Sequence, residues 1–183
     1  MRELSLHLLD IAENSVAAGA GNIGIRVRED LINDRLILSV QDDGKGMDAE
    51  TAARIVDPFV TSRTTRKVGL GLPLLKEAAE LCDGYLRIDS ILGKGTLVEV
   101  AFKHSHIDRM PLGDLASTFI TLLISSPEIH WFFEYQVNEE YFVLDDAPIK
   151  QELEGISLSD PLVLGYLREM INQGIARLQP IMS

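Results

Sequence analysis

Asp42-Asp43-Gly44-Lys45-Gly46-Met47 follows a run in which Leu36, Leu38 and Val40 alternate with polar residues, so it reads as a strand entering a glycine-rich turn. Gly44 and Gly46 let the backbone approach a flat partner closely and adopt positive φ. Alone, an Asp-Gly turn is a common hairpin connection. Its neighbours change its weight. Gly69-Leu70-Gly71-Leu72 and Gly93-Lys94-Gly95-Thr96 follow it, and Asp10-Ile11-Ala12-Glu13-Asn14-Ser15 precedes it on a helical stretch. Four such segments in this order, within about 90 residues, form a pattern that no single glycine turn could carry.

Working outward, Glu3–Ala18 has Leu4, Leu8, Ile11 and Ser15 at helical spacing, and Gly19 and Gly21 stop it. Asn22–Leu31 and Arg35–Gln41 alternate as strands joined at Asn33-Asp34. A short helix is expected over Asp48–Val56 with Asp48 as N-cap, and a longer one over Gly71–Cys82 with Pro73 in its first turn. Tyr85–Ser90 and Thr96–Phe102 form a hairpin around Gly93-Lys94-Gly95. The result is a sheet with helices on one face. Beyond it, the pattern gives a helix over Leu112–Ser125 and a hairpin of His130–Val137 with Tyr141–Leu144. Further helices are expected over Ile149–Glu154 and Asp160–Leu178.

The chain has 183 residues, 46 % hydrophobic and 25 % charged, which suits one core or one domain with a small appendage. It lacks a run of roughly 18 apolar residues and a signal-like start, and it has one cysteine, Cys82. A cytoplasmic protein without membrane association is therefore expected. A net charge of −11 disfavours nucleic acid as a partner. Charge is uneven: residues 1–104 carry 13 basic and 16 acidic side chains, residues 105–183 only 4 and 12, with 8 of the 11 aromatics. This shift places a boundary near His104–Pro111. Trp131, Phe132, Phe133 and Tyr135 on the later hairpin suggest packing or self-association, so a homodimer is possible.

The four segments resemble the ATP-binding domain shared by DNA gyrase B, heat-shock chaperones, sensor histidine kinases and mismatch-repair ATPases, the GHKL superfamily. The resemblance covers roughly residues 3–103. It implies an α+β fold: a two-layer α/β sandwich of the Bergerat type, with a mixed, mostly antiparallel sheet and helices on one face. Residues 1–104 would form this domain and 105–183 a small C-terminal α+β extension. It also implies ATP and Mg²⁺ as cofactors. The first motif begins at residue 3 and the histidines lack a His-Glu or His-Asp step, so self-phosphorylation is not expected. The chain looks like small stand-alone members such as anti-sigma-factor serine kinases, or the ATP-binding proteins encoded beside iron hydrogenases in anaerobic bacteria.

Asn14 lies four residues after Asp10, on the same helical face, and an amide oxygen suits Mg²⁺. The resemblance assigns the metal to Asn14 and activation of water or a hydroxyl to Asp10, where hydrolysing relatives usually carry Glu. His7 shares that edge as a candidate phosphate contact. An Asp42 carboxylate accepts only, matching the adenine amino group and repelling the guanine carbonyl. Gly44, Gly46 and Met47 belong to the same turn, and the resemblance puts Thr96 near adenine. Residues 57–68 resemble a loop covering the nucleotide, rich in hydroxyls, with Arg63, Arg66 and Lys67 as candidate phosphate partners and Thr61 and Ser62 as further ATP-binding residues. Gly69, Leu70, Gly71 and Leu72 then open a helix whose N–H groups favour an anion. The expected function is a Mg-ATP-dependent slow ATPase or a protein kinase acting on an unidentified protein partner in a bacterial regulatory system. The alternative is an ATP-gated binding module.

Overall fold

Alternation decides the sheet. In the computed structural model, which describes residues 3–57 and 71–180, six strands line up in the order β3-β4-β2-β1-β5-β6. They are β1 (Asn22–Asp30), β2 (Arg35–Asp42), β3 (Tyr85–Ile91), β4 (Gly95–Lys103), β5 (His130–Val137) and β6 (Glu140–Asp145). Neighbours run antiparallel except β1 and β5, which pair in parallel with Ile25 beside Phe133. One face is buried: Ile23, Ile25 and Val27, then Leu36, Leu38 and Val40, then Trp131, Phe133 and Tyr135 all point into it. Three of the four hairpin aromatics are thus core. Phe132 lies on the opposite face, with the Arg26 guanidinium 5.6 Å from its ring centre.

The helices are α1 (Leu4–Ala17), α2 (Ala49–Arg54), α3 (Gly71–Leu81), α4 (Leu115–Ser125), α5 (Asp146–Glu152) and α6 (Pro161–Leu178). Leu4, Leu8 and Ile11 of α1, Leu72 and Leu75 of α3, Phe119 and Leu123 of α4, and Leu167 and Ile171 of α6 belong to one buried cluster. The architecture is α+β, a mixed sheet covered by helices. No described helix is long and apolar enough to cross a membrane.

Two helix starts differ from the sequence expectation, and hydrogen bonding explains both. α4 begins at Leu115 rather than Leu112, because Pro111 and Leu112 spend their carbonyls on the N–H groups of Leu4 (3.0 Å) and Ser5 (2.8 Å). Those are first-turn donors of α1, whose N-cap, Glu3, makes no side-chain capping bond. Asp114 then caps α4 by accepting from Ser117 N at 2.8 Å. α5 starts three residues early because Asp145 accepts from Ala147 N at 2.9 Å. The caps at Asp48 and Asp160 are as expected, accepting from Thr51 N and Leu162 N.

Candidate functional site

A cavity of about 360 Å³ opens between α1, the turn after β2, and β4. Ile11, Ile55, Met47, Leu72 and Val98 make it largely apolar, and Asn14, Ser15, Asp42, Thr51 and Thr96 supply polar atoms. Helical periodicity places Ile11 and Ser15 one turn apart on the same face, with Asn14 beside them at the exposed mouth. Pairing of β2 with β4 sets Asp42 directly opposite Thr96.

Asp42 is held from within. Ser15 Oγ donates to its Oδ2 at 2.5 Å, and Gly44 N donates to its Oδ1 at 2.9 Å. Each carboxylate oxygen has a second lone pair, so the group retains capacity to accept from a ligand amino group. Asp43 has a different task. It accepts from Gly21 N, Asn22 N and Asn22 Nδ2 at 2.7–2.9 Å. Those bonds, the Asn22 side chain first, hold its carboxyl below the usual carboxylate range.

The turn needs its glycines. Gly46 has φ +63°, and a Cβ there would stand 2.1 Å from Ile91 O. Gly95 has φ +121°, and its Cβ would stand 2.0 Å from Asp42 O. The Gly44–Met47 turn is also stitched to the β3–β4 turn: Gly93 N donates to Lys45 O at 2.7 Å, and Met47 N to Ser90 Oγ at 2.8 Å. Ser90 Oγ in turn lies 2.8 Å from Thr96 Oγ1. The two glycine segments therefore form one continuous wall.

Of the residues singled out from sequence, Asn14, Asp42, Gly46, Met47, Leu72 and Thr96 meet at this cavity. Gly44 lies just behind it against Ala18, and Gly71 opens α3. Asp10 is half-buried one turn before Asn14 and lies outside the cavity lining. His7 is buried, outside the lining as well, and burial pushes its pKa down, with the Asp10 charge opposing. Thr61, Ser62, Arg63, Arg66, Lys67, Gly69 and Leu70 lie outside the described residues. Sequence reading gave Ser15 no role at the site, although a hydroxyl on an otherwise apolar stripe was a usable signal. Ser90 offered none, because its place depends on strand register.

Comparison with known proteins fits this geometry. A putative sensor protein of Shewanella frigidimarina is 35 % identical over 103 residues, 55 % of this chain and 16 % of that protein. The sensor histidine kinase YvrG of Bacillus subtilis is 30 % identical over 100 residues, 52 % of this chain and 17 % of that one. The chain thus spans about one sixth of the length of these relatives. The ADP complex of the Aquifex aeolicus MutL ATPase domain shares the fold, with a TM-score of 0.51 at 15 % identity, covering 84 % of this chain and 68 % of that one. Residues 2–106 match the histidine kinase-, DNA gyrase B- and HSP90-like ATPases, and the chain belongs to that family.

Proposed function

We propose that this protein binds Mg-ATP in the cavity beneath α1 and uses it either to phosphorylate a partner protein or to hydrolyse ATP slowly. The observation that carries the reading is Asp42, fixed by Ser15 and Gly44 at the wall of an apolar cavity that can hold a flat base. Its carboxylate would select adenine by accepting from the exocyclic amine. Gly44, Gly46, Met47, Leu72 and Thr96 would enclose the base. Thr61, Ser62, Arg63, Arg66, Lys67, Gly69 and Leu70, with Gly71 at the start of α3, are proposed as phosphate contacts. Family membership and kinase relatives support a regulatory phosphoryl-transfer setting. Residues 1–104 would carry the nucleotide chemistry, and 105–183 would extend its sheet toward a partner.

The donor set at the cavity mouth fits Mg²⁺, since the exposed Asn14 offers a neutral, hard oxygen. The ion would supply charge neutralisation at the phosphates. Asp10 would accept the proton of a water or an incoming hydroxyl, a role that typically contributes about 10²–10⁴-fold. Its position outside the lining favours slow chemistry, because misplacement by about 1 Å can cost on the order of 10²-fold. The same observation supports the second reading, an ATP-gated binding module. Incubation with γ-labelled ATP, alone and with a bacterial lysate, separates the two. Asp10→Asn should abolish phosphate release or partner labelling while retaining ATP binding. Turnover at the wild-type rate in that variant removes Asp10 as base. Binding without release or labelling leaves the module reading.

A further inference from the structure

We propose that the groove between α5 and α6 docks an amphipathic helix of a partner protein whose polar face is basic. Leu167, Ile171 and Leu178 of α6 face the common core. On the side toward α5, Leu162, Val163, Tyr166 and Met170 join Ile149 of α5 and Leu153 just after it around a cavity of about 380 Å³. The buried Leu167 lies at its floor, Val163 and Met170 also pack against the core, and Leu162 and Tyr166 stand out toward solvent. Leu162 is 85 % and Tyr166 66 % exposed. A trough walled by two helices, with anchors repeating at i and i+4, matches the apolar face of a third helix.

Charge selects the occupant. Glu152 lines the groove, Glu154 and Asp160 lie in the connection between the helices, and Glu169 follows Tyr166 by three residues on α6. The two basic residues between Asp146 and Met170 are engaged elsewhere. Lys150 Nζ lies 2.5 Å from Asp146 Oδ2 and 2.6 Å from Ile129 O. Arg168 Nη1 donates to Ser117 Oγ at 2.5 Å and lies 3.8 Å from Asp114. An apolar floor with an acidic rim attracts a helix bearing Lys or Arg beside its apolar stripe. It repels an anionic bilayer, and it repels the same acidic face of a second copy.

The proposal does not depend on the nucleotide site, so it can fail or hold independently. The probe is a 15-residue peptide with Leu at helical spacing and Lys elsewhere, titrated calorimetrically into the full chain. A Leu/Glu peptide of the same pattern and anionic phosphatidylglycerol vesicles are run alongside. The Leu/Lys peptide should bind one to one, and the Leu/Glu peptide and the vesicles should not bind. Leu162→Ser with Tyr166→Ser should weaken binding at least tenfold, as should Glu152→Lys with Glu169→Lys. Both pairs are exposed, and unchanged melting will confirm that the variants fold. Glu80→Lys with Asp89→Lys changes net charge equally on distant, exposed positions and should have far less effect. The proposal is overturned by absent Leu/Lys binding, by equal binding of the Leu/Glu peptide, or by equal loss in the distant pair. It is equally overturned if the groove variants leave affinity unchanged, dissociate a dimer, or abolish binding to vesicles.

Discussion

At the scale of single residues, the cavity depends on how one carboxylate is held. Ser15 and Gly44 occupy one lone pair on each oxygen of Asp42, fixing its plane before any ligand arrives. Asp42→Asn would replace an acceptor by a donor facing another donor. ATP affinity should fall roughly 10- to 100-fold, about 1.4–2.8 kcal/mol, measured by calorimetry. Ser15→Ala removes only the anchoring bond. It should cost about 1 kcal/mol of affinity, several-fold, with selectivity for ATP over GTP preserved. Wild-type affinity in Asp42→Asn would remove this residue as the adenine reader. Asp42 was legible in the sequence because a strand end and two glycines are local features. Ser15 was half legible, as a polar residue on a buried stripe, whereas Ser90 and its contacts with Met47 and Thr96 follow only from strand register.

At the scale of elements, the glycines divide into those that need space and those that need only conformation. Gly46 and Gly95 have positive φ, and a Cβ at either would press into a backbone carbonyl at 2.1 or 2.0 Å. Gly93 has φ +78°, and among the described residues nothing lies within 4 Å of its notional Cβ. Gly93→Ala should therefore cost about 1–2 kcal/mol, the left-handed backbone term alone. Gly95→Ala should cost clearly more, because the β3–β4 turn must leave the Asp42 strand end. Urea unfolding of the two variants tests this, and equal destabilisation would show that the turn relaxes freely. The strands and most helices were legible from alternation and caps. The starts of α4 and α5 were not, because Asp114 and Asp145 outcompeted helix-compatible residues next to them. The parallel pairing of β5 with β1 was also hidden, since hairpin patterning fixes β5 against β6 but not the edge on which the hairpin docks.

At the scale of the whole molecule, the two halves share one sheet and one core, and two measurements report on that sharing. The first is acid stability. His7 has a lowered folded pKa, so its contribution is complete above the usual 6.5 and is lost as pH falls from there toward the folded value. Asp43, Asp114 and Asp145, the last facing Ala147 N and His130, are also lowered. Their contribution is present above the usual 3.8 and disappears as pH falls further. The melting temperature should decline in two stages, first below about pH 6.5 and then below about pH 4, and His7→Gln should flatten the first. The second measurement is truncation after residue 104. This removes β5 from β1, uncovering Ile25 and Val27 along an unpaired strand, and takes away Trp131, Phe133 and Phe119, each at most 1 % exposed. It also strips the Pro111 and Leu112 carbonyls from the start of α1. Each large apolar side chain contributes about 1.5–3 kcal/mol, so several together rival the roughly 5–15 kcal/mol that holds a domain folded. A fragment of residues 1–104 should lack a cooperative melt and self-associate through the bare β1 edge, seen by calorimetry and light scattering. A monomeric fragment melting sharply within a few degrees of the full chain would instead make the C-terminal part a dispensable addition to a self-sufficient nucleotide domain.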